Sequence, residues 1–253
     1  MKSRAVGILY SSTERDSAIA ETIEARCAEA GIPVAYVRAD RPADKPASVG
    51  IAIGREAFRS FAVDRPPIPI LPIGVGVYPS NETLPDLAGT LRQLDGDTDE
   101  TLPTPILEAT LDGDRIGSAV FDVCLMSAEP ARIAEYAVDS KTIRLGTVRA
   151  DGLVVATAPG STGYAGRVTG PRIQPSAGDV VEVIPVAPFH THRDTWILDP
   201  RRVGIDIVRA QGAIDIRLDG EPAAEAATGG TLRCAIADRV RVLPPIHRAD
   251  EEE

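Results

Sequence analysis

Residues 151–175 read DGLVVATAPGSTGYAGRVTGPRIQP, a short apolar run followed at once by a loop of glycines and small hydroxyl residues. The apolar run at 153–156 predicts a buried strand. In the loop no bulky side chain stands in the way, so backbone N–H groups can approach an anionic or polar ligand. Glycine-rich turns are common, and this one is neither a Walker A nor a Rossmann fingerprint. The residues alone therefore leave a ligand-binding loop and a simple tight turn equally open.

The sequence around this stretch has the rhythm of an antiparallel β structure. From about residue 104 short strands alternate with turn dipeptides: Asp112-Gly113, Asp151-Gly152 and Asp219-Gly220. We therefore predict a β-rich domain of the β-sandwich type over residues 99–236.

The first half of the chain has a different pattern. Four apolar runs predict strands: 5–10, 33–37, 49–53 and 68–77. One helical pattern at 16–30 is predicted to bury four residues before Gly31 ends it: Ile19, Ile23, Cys27 and Ala30. Uniformly apolar strands separated by a helix favour a parallel sheet covered on both faces, so residues 1–98 are predicted to form a Rossmann-like α/β domain.

Two further segments complete the predicted organisation. A short helix is expected around 87–94, before an acidic, turn-forming linker. Residues 237–253 are expected to return to the first domain and to end in the charged tail RADEEE, which has no predicted fold.

The overall charge argues against some classes of partner. The net charge is −10, with 37 acidic and 27 basic residues, which disfavours binding to nucleic acid or to an anionic membrane. This acidity fits either a high-salt cytoplasm or a GC-rich genome. Neither an export signal nor a run of about 18 apolar residues is visible, so a cytoplasmic protein is expected. The three widely spaced cysteines predict small buried side chains rather than disulfides or a metal cluster.

The stretch 151–175 resembles the C-terminal domain of the NAD kinases. That family has an Asp-Gly strand start followed by Thr-Pro-Thr-Gly-Ser-Thr-Ala-Tyr, a Gly-Pro pair and a further proline. The matching residues are Asp151, Gly152, Thr157, Gly160, Ser161, Thr162, Tyr164, Gly170, Pro171 and Pro175. Downstream, VIPVAPFH resembles the family's Pro-x-x-Pro-His segment, which includes His190, and Asp219-Gly220 resembles its late Asp-Gly turn.

The resemblance implies a dinucleotide site in the β-rich domain. It assigns NAD contacts to Asp151, Thr162, Tyr164 and His190, supported by Thr157, Gly160 and Ser161. It also implies a homodimer or homotetramer that associates through the β-rich domain. Taken singly, each residue has an ordinary alternative: a turn for Asp151, a local cap for Thr162, a half-buried aromatic for Tyr164 and a surface or core histidine for His190.

The chain departs from the family in the phosphoryl-transfer half. Where the family has Gly-Gly-Asp-Gly-Thr after a strand, this chain has Gly54-Arg55-Glu56-Ala57-Phe58. By resemblance Glu56 is the candidate general base, although its carboxylate is displaced by one methylene from that of an Asp. Gly54, Arg55 and Arg167 are candidate phosphate-binding residues, with solvated surface positions left open for both arginines.

A second departure affects the family's Asn-Glu pair, which reads Phe121-Asp122 here. Asp122 keeps the charge and is a candidate dinucleotide-binding residue, whereas Phe121 cannot make the contacts of an asparagine amide.

The sequence therefore favours a diverged NAD kinase that uses ATP, with Mg²⁺ implied by the resemblance, to phosphorylate the 2′-hydroxyl of NAD. A catalytically silent NAD(P)-binding paralogue, acting as a sensor or partner subunit, stays open, as does a kinase with another substrate. No dedicated cluster of metal ligands is visible in the sequence.

Overall fold

The computed structural model describes residues 5–11, 13–39, 47–64, 68–76, 78, 101–129, 132–141, 143–168, 170–189 and 195–243. The chain forms two compact units, Met1–Pro103 with Val240–Glu253, and Thr104–Arg239. The predicted helix at 87–94, His190 and the acidic tail lie outside the described residues. The predicted fold class, an α/β part followed by a β-rich part, is confirmed.

The first unit contains a parallel sheet and two described helices. The strands are β1 (Val6–Tyr10), β2 (Val34–Ala39), β3 (Val49–Ile53) and β4 (Ile70–Ile73), and the helices are α1 (Glu14–Glu29) and α2 (Arg55–Asp64). The strand order is β2-β1-β3-β4, and all three pairings are parallel. Because the chain goes from β1 to a neighbour on one side and then to β3 on the other, the carboxyl ends of β1 and β3 form a topological switch point.

Helix α1 follows the predicted pattern with two exceptions, Ile19, which is only half-buried, and Ala30. Thr13 caps it by accepting a hydrogen bond from Asp16 N at 3.1 Å, and Gly31 follows its end with a φ of +69°. Ile23 and Cys27 are buried as predicted. The prediction that Ala30 is buried is wrong, because it is the C-cap residue and is exposed at the helix end.

Helix α2 was not predicted from the sequence. It begins directly after β3, and its buried residues form one apolar stripe: Ala57, Phe58, Phe61 and Ala62. The ring of Phe61 lies against Gly50 of β3. The prediction of a strand over 68–77 is too long, because β4 ends at Ile73 and Gly74 follows with a φ of +66°.

The second unit contains the remaining strands. They are β5 (Leu102–Leu111), β6 (Asp114–Ala119), β7 (Asp122–Ser127), β8 (Ala134–Ser140), β9 (Ile143–Ala150), β10 (Gly152–Ala156), β11 (Val181–Val186), β12 (Trp196–Leu198), β13 (Val203–Arg209), β14 (Ile214–Leu218), β15 (Glu221–Ala226) and β16 (Thr231–Val242). A four-residue helix, α3 (Tyr164–Arg167), follows the loop after β10. The last residues of β16 belong to the first unit, where Val242 pairs with Ile70 in parallel.

Two antiparallel sheets of this unit enclose its core. One sheet has the order β12-β11-β10-β7-β14-β15, and the other contains β16, β13, β8 and β9 with β5 and β6 alongside. Their inward side chains, among them Leu125, Val155, Tyr136 and Ile205, form one apolar cluster. The opposite, outer face of the six-stranded sheet has a smaller cluster that includes Cys124, Val154, Ile184 and Ala165 of α3. The loop after β10 packs on this outer face.

Two of the three predicted turn dipeptides join neighbouring strands into hairpins. Asp112-Gly113 and Asp219-Gly220 have positive φ at both residues, as two-residue hairpin turns require. Asp151-Gly152 also divides two strands as predicted, but it joins β9 of one sheet to β10 of the other and is not a hairpin turn. Gly152 is needed for a different reason: a Cβ there would collide with the carbonyl oxygen of Leu125.

Candidate functional site

The loop at residues 157–168, called the glycine loop below, is tied to the turn before β7. Thr157 N donates to Phe121 O at 2.9 Å, and the Thr157 hydroxyl lies 2.6 Å from Val120 O and 3.0 Å from Phe121 O. The same hydroxyl accepts a hydrogen bond from Gly160 N. Thr157 is fully buried, so its side chain fixes the start of the loop.

Gly160 and Ser161 also hold the glycine loop against the neighbouring backbone. A Cβ on Gly160 would collide with the backbone carbonyl of Phe121, so only glycine fits at this position. The Ser161 hydroxyl donates to Ala158 O at 2.8 Å and accepts from Ile173 N at 2.9 Å. Both residues are buried. The groups of Thr157, Gly160 and Ser161 thus contact the chain itself, and their predicted ligand contacts stay predictions.

Thr162 and Tyr164 differ from these anchoring residues. The Thr162 hydroxyl is buried and has no hydrogen-bond partner among the described residues. Tyr164 begins α3 and is 40% exposed. Partial burial raises the pKa of its phenol, and Cys124 and Asp151 raise it further, which sets Tyr164 in the electrostatic field of the Asp151 carboxylate. Arg167, at the other end of α3, is exposed.

The late Asp-Gly turn supports the same region from the other side. The Asp219 carboxylate accepts hydrogen bonds from the backbone N–H groups of Val120, Phe121 and Asp122, at 3.0, 2.7 and 3.1 Å. Burial raises the pKa of Asp219, the three N–H groups oppose this, and the nearby Asp122 adds to the increase. Asp122 is itself only 2% exposed, with Cys124 Sγ 3.5 Å from its Oδ1.

A cavity of about 230 Å³ lies beside β8 and β9 in the same unit. Its lining includes Arg149, Arg209, Glu135 and the exposed ring of Phe189. Arg149 pairs with Glu135 at 2.9 Å, and Phe189 N donates to Arg149 O at 2.9 Å. Two guanidinium groups and an open aromatic face are groups that suit a nucleotide. Sequence reasoning missed this cavity because its lining comes from separate segments.

Glu182 on β11 was also missed. Its side chain is completely buried, and neither carboxyl oxygen has a hydrogen-bond partner among the described residues. Burial raises the pKa of Glu182 to about 8. The signal in the sequence was a single acidic residue inside the apolar run VVEVIPV.

The first unit has a separate group of polar residues at the switch point between β1 and β3. Gly54 has a φ of +83°, and its N–H donates to Ile73 O at 2.9 Å. A Cβ on Gly54 would lie 2.7 Å from Asp16 Oδ2 and 2.9 Å from Ser11 Oγ. Glu56, the candidate base, is exposed in the first turn of α2.

The motif residues that follow Gly54 differ in how far they are buried. Phe58, where the related motif has a threonine, is fully buried, whereas Arg55 is half-buried at the start of α2. Asp16 was not predicted as a site residue. Its carboxylate makes no hydrogen bond or ion pair within the part of the chain that the structure describes.

The described residues contain no group of three or more potential metal-ligating side chains. In the same part of the chain, no helix is both long and apolar enough to cross a bilayer.

Comparison with known sequences gives consistent matches. The family model of the ATP-NAD kinase C-terminal domain matches residues 121–242. The NAD kinase of Methanosarcina acetivorans is 31% identical over 179 residues, which cover 66% of this chain and 60% of the relative. That of Methanosarcina mazei is 29% identical over 203 residues, covering 76% and 65%. The chain therefore spans less than two thirds of the length of these relatives.

Two solved structures share the fold. The crystal structure of yeast NADH kinase complexed with NADH has a TM-score of 0.73 at 12% identity, covering 98% of this chain and 85% of that one. An NAD kinase from Archaeoglobus fulgidus in complex with ATP has a TM-score of 0.68 at 17% identity, covering 95% and 94%.

Proposed function

Because this chain belongs to the NAD kinase family, we propose that it transfers the terminal phosphoryl group of ATP to the 2′-hydroxyl of the adenosine ribose of NAD, producing NADP and ADP. The glycine loop of the second unit would bind the dinucleotide, and the switch point of the first unit would bind the phosphates. The two structural neighbours were solved with NADH and with ATP, which supports this pair of ligands.

The observation that carries the dinucleotide proposal is the buried, unpartnered hydroxyl of Thr162. A buried polar group is nearly always hydrogen-bonded, so a group without a partner points to a missing one. Thr162 lies in a loop whose other hydroxyls, those of Thr157 and Ser161, are already bonded within the protein. A hydroxyl or amide of NAD is the partner that we propose.

The substitution Thr162→Val tests this assignment because it keeps the side-chain shape. Removing a hydroxyl that has no protein partner leaves the free energy of unfolding unchanged within about 0.5 kcal/mol. Losing its bond to the ligand weakens NAD binding about tenfold. Calorimetric titration with NAD and urea denaturation measure the two quantities. A tenfold loss of affinity without loss of stability supports the assignment, and an unchanged affinity contradicts it.

For the phosphoryl transfer we propose that Glu56 accepts the proton of the ribose hydroxyl and that Gly54 and Arg55 contact phosphate. Both α1 and α2 begin at this edge of the sheet, so their N-terminal dipoles favour a bound anion. Mg²⁺ typically binds one or two carboxylates together with substrate phosphates, and the free Asp16 carboxylate beside Gly54 could serve as such a ligand. Bound there, it would neutralise charge on the phosphoryl oxygens.

A coupled assay for NADP formation tests the reaction, with Glu56→Gln and Asp16→Asn as variants. Loss of the base lowers kcat about 100-fold or more. Loss of the metal carboxylate weakens the binding of Mg²⁺–ATP, which calorimetry detects without turnover. Full activity of Glu56→Gln would exclude Glu56 as the base. NAD binding with no ATP binding and no turnover would identify a silent NAD-binding protein instead.

We also propose that the second unit mediates self-association. Ile143 on β9 and Ile197 on β12 are 66% and 51% exposed, and both strands lie at sheet edges. Sedimentation of the full chain gives the oligomeric state, and Ile143→Lys with Ile197→Lys should lower it. An unchanged, higher-than-monomeric mass would exclude these edges.

A further inference from the structure

Glu182 lies beneath Gly170, just after the glycine loop, and is the least expected group in the second unit. On β11 it faces the outer side of the six-stranded sheet, together with Ile184. A Cβ built on Gly170 would lie 3.1 Å from Glu182 Oε2, so the chain passes directly over the carboxyl group. The side chain is fully shielded from solvent.

The neighbouring strands offer this carboxyl group no compensating charge. Its cross-strand partners are Ala156 on β10 and Ile197 on β12, and neither strand carries a titratable residue. Asp122 is in the same cross-strand row, on the far side of Ala156. The titratable groups of the surrounding elements are Asp122 and Cys124 on β7, Tyr164 and Arg167 on α3, and Arg172 and Asp179 in the segment before β11. The increase in the pKa of Glu182 is due to burial alone.

An isolated carboxylate in such surroundings is strongly disfavoured, whereas the neutral acid is tolerated. The covered conformation therefore favours the protonated acid, and ionisation favours a conformation in which water reaches the carboxylate. Water would reach it if the backbone at Gly170 moved off the sheet, and Gly170 N donates to Ala165 O of α3 at 3.1 Å, so this movement would also affect the glycine loop. Because the pKa of Glu182 is about 8, this change in conformation falls in a pH range that experiments can cover.

We propose that Glu182 is a positioning residue, whose protonated carboxyl group stabilises the glycine loop in its ligand-binding conformation. The inference deepens the dinucleotide-binding function proposed above and rests on it for its effect on NAD. The effect of Glu182 on the conformation of the loop concerns the ligand-free protein and can be tested without NAD. Closing of the loop would then be linked to the uptake of one proton between about pH 4.5 and pH 8, and the closed conformation would lose stability as pH rises through this window.

The first test is hydrogen exchange of the ligand-free full chain at pH 6.5 and 9.0, corrected for intrinsic exchange. We expect protection of peptides within 157–168 to fall about tenfold between these values in the wild type, while peptides of β13 and β14 stay protected. Glu182→Gln removes the fall. Glu225→Gln, which alters an exposed carboxylate on β15, keeps it. Equal loop exchange at both pH values, or the same fall in Glu182→Gln, would overturn the proposal.

Two further variants distinguish the effect of the proton on Glu182 from the effect of side-chain packing. Glu182→Asp restores a titratable group and should restore the pH response, and Glu182→Met should lack it as Glu182→Gln does. In NAD titrations the wild-type Kd should be higher at pH 9.0 than at pH 6.5, while the Kd of Glu182→Gln stays level. Absence of NAD binding at every pH would reject the proposed function, whereas the exchange experiment would still decide the role of Glu182.

Discussion

The glycine loop of the second unit and the turn into α2 of the first unit both follow a fully buried strand, yet they are built in opposite ways. In the glycine loop the hydroxyls of Thr157 and Ser161 are bonded to the protein itself, and Gly160 is pressed against a backbone carbonyl. In the other region a helix begins at once after Gly54, with Phe58 buried in the core. One region uses its residues to fix a loop, and the other uses them to start and pack a helix.

The two glycines show the same contrast. Gly160 faces an immovable carbonyl oxygen, whereas Gly54 faces the movable side chains of Asp16 and Ser11 and needs glycine for its positive φ. We infer that the second unit has the stricter geometric demand and that the first unit tolerates change more readily. Substitutions in both regions can break or sharpen this contrast.

The largest effect is expected at Glu182. Its carboxyl pKa is raised in the folded state from 4.5 to about 8, so between these values the native state binds more protons than the unfolded state. The free energy of unfolding of the wild type therefore falls as pH rises through this window, by up to about 1.4 kcal/mol per unit. Glu182→Gln should lack this component, which urea denaturation of both proteins from pH 4.5 to 9 measures. Parallel stability curves for the two proteins would contradict the expectation.

Gly160→Ala should be the next most damaging change. The added methyl group meets the Phe121 carbonyl, and neither backbone segment can yield without breaking the loop bonds, which costs about 3 kcal/mol. Gly54→Ala is the matched control, with a cost of about 1 to 2 kcal/mol for a positive φ in an L-residue. Denaturant melts of both variants measure the difference. Equal losses of stability would erase the contrast between the two regions.

Thr157→Val should have an intermediate effect. The variant keeps the shape of the side chain but loses its bond to the 120–121 carbonyls and leaves Gly160 N without its acceptor, at a cost of about 1 to 2 kcal/mol. Thr162→Val removes a hydroxyl with no protein partner and should cost almost nothing. If both variants lose the same stability, the division into anchoring and ligand-binding hydroxyls is wrong.

Glu56→Gln should change stability least, by less than about 0.5 kcal/mol, because this side chain is exposed in the first turn of α2. Thermal denaturation with and without the substitution checks this. A loss of several kcal/mol would show that Glu56 belongs to the packing of the helix rather than to an open site.

Much of the fold could be predicted from local patterns. The apolar run VGIAI coincides with β3, and Asp112-Gly113 and Asp219-Gly220 are the hairpin turns that their residues predict. Helix α2 was missed although its apolar spacing was present, because the residues after β3 were interpreted by their family motif and not by their period.

The contacts of the candidate site could not be predicted in the same way. The Asp219 carboxylate bonds residues 97 to 99 positions away, and no local pattern specifies such a partner. Glu182 is part of an ordinary strand pattern, and only the packing of Gly170 over it makes the residue unusual. The sequence predicted the loop, while its support depends on distant segments.

The bond from Asp219 to the turn before β7 has a consequence for the order of folding. During synthesis the complete glycine loop leaves the ribosome about 50 residues before Asp219, so the turn on which the loop rests still lacks its carboxylate acceptor. Nascent chains that end before the β14–β15 hairpin should therefore fail to order this turn, and the glycine loop should become ordered among the last parts of the unit.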